Sequence, residues 1–419
     1  MTTTKTMKAS FRLLSCGTPR AHFVTPSSSL SSLLSGHQHH QHHHHPTATL
    51  QSPFSSDASD DSSAFVTVSI EEARSKATAA LRKIGWDEHD AALQADIMTA
   101  AELGGNNQGL VKLVNPRMMA PAADAGKPII ERETLSSAVI NGNQAPGMLA
   151  AVTAADLAVS KVLPTDDEKN KDKDGTSTPP PPLAVSIVST YNTSTSSGQL
   201  AYYVRRMAEK GLIGVALCNS PEFVAAEAGG KPVFGTNPLA VAVPTSSDGT
   251  EVFSFDMATS AIVLFGVLTS QSKGEPLPPN VAYDRDGNWT TDASEVMQGG
   301  GAIATFGGYK GAGLSLCVEL LAAGLSGAAV LGQVESKKTA KSWGHTFVAI
   351  RPEMLVDDFP KRAASIIATV KASGDSVRIP GERSAAIAAE RTAAGVMPIP
   401  RAIWESICRT AEHGLPDEA

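Results

Sequence analysis

Apolar residues recur along this chain with two spacings, one helical and one belonging to short buried strands. At Ser69 the run "SIEE" has the Ser-x-x-Glu spacing of a capping box and opens a predicted helix through Ile84, where ordered sequence is expected to begin. A second helix is predicted behind Asp87, a suitable N-cap, with Ala91, Leu93, Ile97, Ala101 and Leu103 on an apolar face that ends at Gly104 and Gly105. The stretch "GGNNQGLVKL" (104–113) then reads as a loop, carrying two asparagines and a glutamine ahead of one lysine. Another helical pattern covers 147–163, followed by "PTDDEKNKDKDGTSTPPPP" (164–182), whose charge and proline content predict a disordered solvent loop.

Beyond that insert, "LAVSIVST" predicts a strand, "SGQLAYYVRRMAEKG" a helix, "LIGVALCNS" a buried strand, and "LAVAVPT" and "EVFSFDM" two more strands. Helices alternating with short apolar strands predict an α/β architecture around a mainly covered sheet. With 419 residues, 42% of them hydrophobic and 18% charged, the chain has the apolar material for a large core.

Residues 1–65 read differently from residues 66–419, which are expected to form the catalytic unit. The first 56 residues contain Lys5, Lys8, Arg12 and Arg20, no acid and many serines, without a continuous apolar run. Those features predict an organellar targeting segment, mitochondrial in the first instance; the competing reading is an untargeted disordered tail on a cytoplasmic protein. The tract "HQHHQHHHH" (37–45) reads as a linker. The formal charge of -7 argues against a nucleic-acid surface, and no apolar stretch approaches the roughly 20 residues that cross a bilayer. Cys16, Cys218, Cys317 and Cys408 are too scattered for a disulfide framework or a paired-cysteine zinc site, and no metal is expected.

The usual dinucleotide fingerprint, Gly-x-Gly-x-x-Gly closing a first strand, is missing. The nearest glycine cluster, "GGYKGAGLSL", has two readings. Its glycines at 307, 308, 311 and 313 and Lys310 at a helix start suit a diphosphate or carboxylate, and they equally suit a tight turn with a solvated lysine.

"KPVFGTNPLAVAVP" (231–244), "FSFDMATS" ending at Ser260, "LPPNVAYDRDGNWTTD", "GGYKGAGLSL", "SWGHTFVAIRPE" and "PGERS", in this order, resemble the type 2 malate/L-lactate dehydrogenase family over about residues 69–415. The resemblance implies a non-Rossmann α/β fold with a large mixed sheet and surrounding helices, assembled as a homodimer. It implies a cofactor, NAD or NADP, contacting Ser220, Asp256, Met257, Ala258, Lys310, Gly381 and Glu382, with Asp256 accepting from ribose hydroxyls. Thr236 would hydrogen-bond a substrate carboxylate; turn chemistry is the alternative for Thr236, Asn237 and Pro238.

The chain departs from that family where protons are handled. Relatives read Ser-His-Gly, two residues, then Arg, where this sequence has Asn107, Gln108 and Lys112. Ser196 stands at a second family histidine, and Pro221 replaces an aspartate. His89, His345 and His413, the histidines outside the leader, read as structural. Gln108 can donate a hydrogen bond but has no usable protonation change, and Lys112 keeps a charge without the bidentate fork of arginine. The catalytic candidates are therefore Gln108, Lys112, Ser196 and Thr236. Three functions compete: NAD(P)-linked hydride transfer on a small 2-oxo or 2-hydroxy acid, reduction of a cyclic imino acid that arrives already protonated, and cofactor binding without turnover.

Overall fold

Ser69 closes strand β1 (Phe65–Ser69) and caps helix α1 (Ile70–Lys83), its hydroxyl accepting from Glu72 N at 3.1 Å. Asp87 opens α2 (Glu88–Leu103) in the same way, accepting from Asp90 N at 2.8 Å. The computed structural model describes residues 64–106, 108–163, 182–331, 333–334 and 342–415. The segment expected to carry a targeting signal, the histidine tract, Cys16, Asn107 and insert residues 164–181 lie outside the described residues. Regular structure starts earlier than the capping box suggested, because β1 pairs antiparallel with β14 (Val396–Pro400), Phe65 opposite Pro400.

Between these ends run β2 (Ile129–Glu133), β3 (Ser137–Asn141), α3 (Gly147–Val162), β4 (Val185–Thr193), α4 (Ala201–Ala208), β5 (Ile213–Cys218), β6 (Val224–Ala225) and β7 (Pro232–Phe234). There follow β8 (Leu239–Pro244), β9 (Val252–Met257), α5 (Leu264–Lys273), β10 (Ala282–Tyr283), β11 (Trp289–Thr290), α6 (Ala293–Met297), β12 (Ala302–Ala304) and α7 (Tyr309–Val318). The chain closes with β13 (Trp343–Ile350), α8 (Phe359–Lys371), α9 (Glu382–Ala394) and α10 (Arg401–His413).

Seven strands form a sheet in the order β2-β3-β4-β13-β5-β8-β9. It is mixed: β3 and β4 are parallel, the other neighbours antiparallel. This is the mixed sheet that the resemblance implied. One face packs on α3 and α4, where Tyr203 meets Phe347 edge-on at 5.5 Å and Met148 and Val188 are fully buried. Each such large side chain contributes roughly 1.5–3 kcal/mol by leaving water. A second, smaller sheet, β11-β10-β12-β6-β7, carries its own core of Val224, Phe234, Val267 and Ile303.

The stretch expected to be a loop after α2 is partly helical. Leu110–Val114 winds as a 3-10 helix, in which residues three apart share a face, and Leu110 and Leu113 are both fully buried beneath it. The helix expected across 197–211 is shorter than its apolar pattern, since Gly198 and Gly211 both take positive φ, 77° and 80°. Helix α7 runs on into a π-wound turn, Glu319–Gly324, that packs on β13 and β5.

Candidate active site

Lys112 projects from the 3-10 helix into the protein and is 7% exposed. Its Nζ donates to Ser196 Oγ at 2.5 Å and lies 5.4 Å from the centroid of the Phe265 ring. Among the described residues it has no carboxylate partner, and burial lowers its pKa to about 8. Ser196 sits in the loop between β4 and α4, pressed against the start of α3: Gly147 N donates to Thr195 Oγ1 at 3.3 Å. A Cβ on Gly147 would stand 2.3 Å from Thr195 O, so only glycine lets α3 approach this loop. Gln108 is half-buried alongside, its N–H bonded to Asn106 Oδ1 at 2.9 Å and its carbonyl 3.6 Å from where a Gly198 Cβ would be. The structure therefore brings Lys112 to Ser196, 84 positions away, with the Gln108 backbone beside Gly198.

Thr236 belongs to a second cluster, at the end of β5. Its hydroxyl lies 3.3 Å from Ser220 Oγ, and its carbonyl accepts from Thr259 N at 2.8 Å. Gly235 makes this possible, because a Cβ there would meet Ser220 Oγ at 2.1 Å and Ser220 O at 2.3 Å. Asn237 takes a left-handed φ of 37° and accepts from Ser220 N through Oδ1. Cys218, two residues before Ser220, links the clusters: it is buried, its thiol is pushed up to about 12 by burial, and the charge of Lys112 acts on it.

Asp256 has a structural task beside the one expected of it. Its Oδ2 accepts from Ala201 N at 2.8 Å, capping α4, whose own preceding residue offers no side-chain cap. Burial raises its pKa to about 6. One oxygen is thus committed to the helix rather than free for a ribose. Met257 and Ala258 follow it, half-buried, and lead into Thr259. Gly381 packs on the same strand, where its Cβ would come 2.5 Å from Ser254 O, and Glu382 is exposed and paired with Lys371 at 2.5 Å.

The glycine cluster resolves into a helix start. Gly308 precedes α7, Gly307 and Gly308 have φ of 57° and 62°, and a Cβ on either, or on Gly313, would meet nothing within 4 Å. Open backbone, the N-terminus of a helix and the exposed cation of Lys310 together suit a phosphate-bearing ligand, so the residues present fit a dinucleotide.

Several contributors are not legible in the sequence. Phe265 belongs to an apolar run there, and Glu319 is one more residue of a helical stretch. In the structure Glu319 is 3% exposed and accepts from Asn219, Asn237 and the Leu331 N–H. His345 is fully buried with Nδ1 against Thr190 Oγ1 at 2.9 Å, and burial lowers its pKa to about 4, in keeping with a structural histidine. Asp87, His89 and Asp90 approach one another closely, but Lys127 already forms ion pairs with both aspartates.

A family description, malate/L-lactate dehydrogenase, matches residues 183–408. The chain is 31% identical over 326 residues to the malate/(S)-sulfolactate dehydrogenase of Methanothermus fervidus, covering 75% of this chain and 89% of that protein. It is 36% identical over 217 residues to delta(1)-pyrroline-2-carboxylate reductase 1 of Burkholderia ambifaria, covering 49% of this chain and 60% of that protein. The sulfolactate dehydrogenase structure from Methanocaldococcus jannaschii superposes with a TM-score of 0.69 at 26% identity, covering 83% of this chain and 97% of that one. The chain therefore belongs to the malate/L-lactate dehydrogenase family of oxidoreductases.

Proposed function

We propose that the protein interconverts a small 2-oxo acid and its 2-hydroxy acid, of the malate or lactate kind, with NAD or NADP, and that Lys112 handles the proton. The observation that carries this reading is a buried ammonium without a counter-ion, hydrogen-bonded only to a serine hydroxyl among its described contacts, with a pKa near 8. A bound nicotinamide would supply or accept the hydride. Ser220, Asp256, Met257, Ala258, Lys310, Gly381 and Glu382 are the residues that would hold the dinucleotide. In reduction, Lys112 Nζ gives a proton to the substrate oxygen; in oxidation the neutral amine takes it back. Ser196 aims the ammonium, the Gln108 amide donates a further hydrogen bond, and Thr236 offers its hydroxyl to the carboxylate.

A second reading, reduction of a cyclic imino acid, is favoured by the similarity to the Burkholderia reductase and by Gln108, which cannot titrate. A protonated imine brings its own proton, so Lys112 would then bind the carboxylate as a fixed charge. We also propose a homodimer. Leu316, Leu320, Leu321 and Leu325, 44–59% exposed on α7 and its π-wound continuation, form an apolar stripe whose burial a second copy would provide.

The test is oxidation of NADH and of NADPH by the full-length protein with pyruvate, oxaloacetate or a cyclic imino acid, about one pH unit either side of the Lys112 pKa. Turnover of a 2-oxo acid that falls on the alkaline side supports the first reading. Turnover of the imino acid alone selects the second, and failure of both substrates with both cofactors rejects both. Sedimentation of the same sample reads the oligomeric state.

A further inference from the structure

We propose that Glu319 is a positioning residue for this reaction, setting the Ser220–Thr236 turn through two buried asparagines. The proposal rests on the reading of that turn as part of the active site. Glu319 Oε2 accepts from Asn237 Nδ2 at 2.9 Å, while Oε1 accepts from Asn219 Nδ2 at 3.2 Å and from Leu331 N at 3.0 Å. Every one of these partners is a donor, so both carboxylate oxygens serve only as acceptors.

Each asparagine passes the constraint on. Asn237 holds Ser220 N through Oδ1 at 3.3 Å and gives its second amide proton to Ser315 O at 3.2 Å. Asn219 receives Gly344 N at 2.8 Å, fixing the start of β13. Thr259 completes the ring, its Oγ1 bonded to Asn237 O at 3.1 Å and to Ser315 Oγ at 2.7 Å. Both asparagines are fully buried, and so is Thr259. One side chain at the end of α7 thus governs the two residues that offer hydroxyls to ligand, Ser220 and Thr236. The site of Glu319 is where the helix changes to π winding.

The chemistry predicts an unusual mutational pattern. Glu319→Gln must place an NH2 group against a donor in either orientation, at Asn237 or at Asn219 and Leu331. Pairing it with Asn237→Asp reverses one bond: the glutamine NH2 then donates to one oxygen of the carboxylate introduced at position 237, while the other oxygen still accepts from Ser220 N. The bond to Ser315 O is lost in that exchange, so the recovery is partial.

The experiment compares wild type, Glu319→Gln and the double variant Glu319→Gln with Asn237→Asp. It reads NADH and NADPH binding by fluorescence, steady-state kinetics, thermal unfolding and the crystallographic Ser220 Oγ to Thr236 Oγ1 separation, 3.3 Å here. The expected result is a folded single variant with a widened separation and a kcat/KM at least about tenfold lower, of which the double variant recovers at least about threefold. A single variant with unchanged separation and kinetics overturns the proposal. So does lost thermal stability without lost kcat/KM, or failure of both variants to fold, which would make Glu319 a folding residue only. A wild-type protein that binds neither dinucleotide defeats the functional reading instead, while the separation still decides what Glu319 holds in place.

Discussion

Lys112 Nζ and Ser196 Oγ, from residues 84 positions apart, meet at 2.5 Å with the ammonium almost wholly out of water. A lone buried charge destabilises a fold, so its retention points to use. Lys112→Met is expected to lower kcat/KM by about 10²–10⁴ while raising the unfolding temperature. A variant that loses activity together with stability would contradict that assignment.

The same lysine fixes the direction of the pH response. Its pKa near 8 leaves the ammonium protonated below that value, so the reductive rate falls as pH rises through about 8. The oxidative rate rises across the same interval, since it requires the free amine. Rate profiles recorded in both directions check this opposition.

Lys310 stands exposed at the start of α7. Lys310→Ala should raise the dinucleotide Kd by about tenfold and leave the substrate KM nearly unchanged, the reverse of Lys112→Met. Titration with NADH and NADPH distinguishes the two.

Gly235→Ala tests the turn by size alone. Its added methyl would overlap Ser220, at 2.1 Å from Oγ, and should cost about 1–3 kcal/mol of stability as the turn shifts. Dinucleotide binding and denaturant unfolding should both weaken; intact binding would remove Ser220 from the cofactor site.

His345 makes an acid-side prediction. Burial holds its folded pKa near 4, below the ordinary 6.5, so the folded chain keeps it neutral where the unfolded chain gains a proton. Stability from this group is complete above about 6.5 and is lost as pH falls toward 4, by roughly 3 kcal/mol in all. Unfolding curves of His345→Gln should have a shallower pH slope in that window.

Local chemistry made much of this molecule readable from its residues. Ser69 and Asp87 are caps in the structure as in the sequence, and the apolar runs around Ile213–Cys218, Leu239–Pro244 and Val252–Met257 are neighbouring strands of one sheet. The glycine cluster does begin a helix. Signals that depend on distant partners were not readable. Asp256 caps a helix that starts 55 residues earlier, and nothing in its own neighbourhood encodes that. Glu319 lies in an apolar helical run, where a carboxylate ordinarily faces water; only the convergence of Asn219, Asn237 and Leu331 shows why it is inside. The strands of the smaller sheet are two or three residues long, too short for a period of two to register.

The pairing of β1 with β14 also orders events during synthesis. Phe65–Ser69 leaves the ribosome early, yet every backbone partner it has in this ladder lies between Val396 and Pro400. The edge of β1 must wait, unzipped, until Val396–Pro400 has been made, and α1 and α10 can close on each other only after that. Chaperones that shield strand edges on nascent chains would find a long-lived target in this ladder.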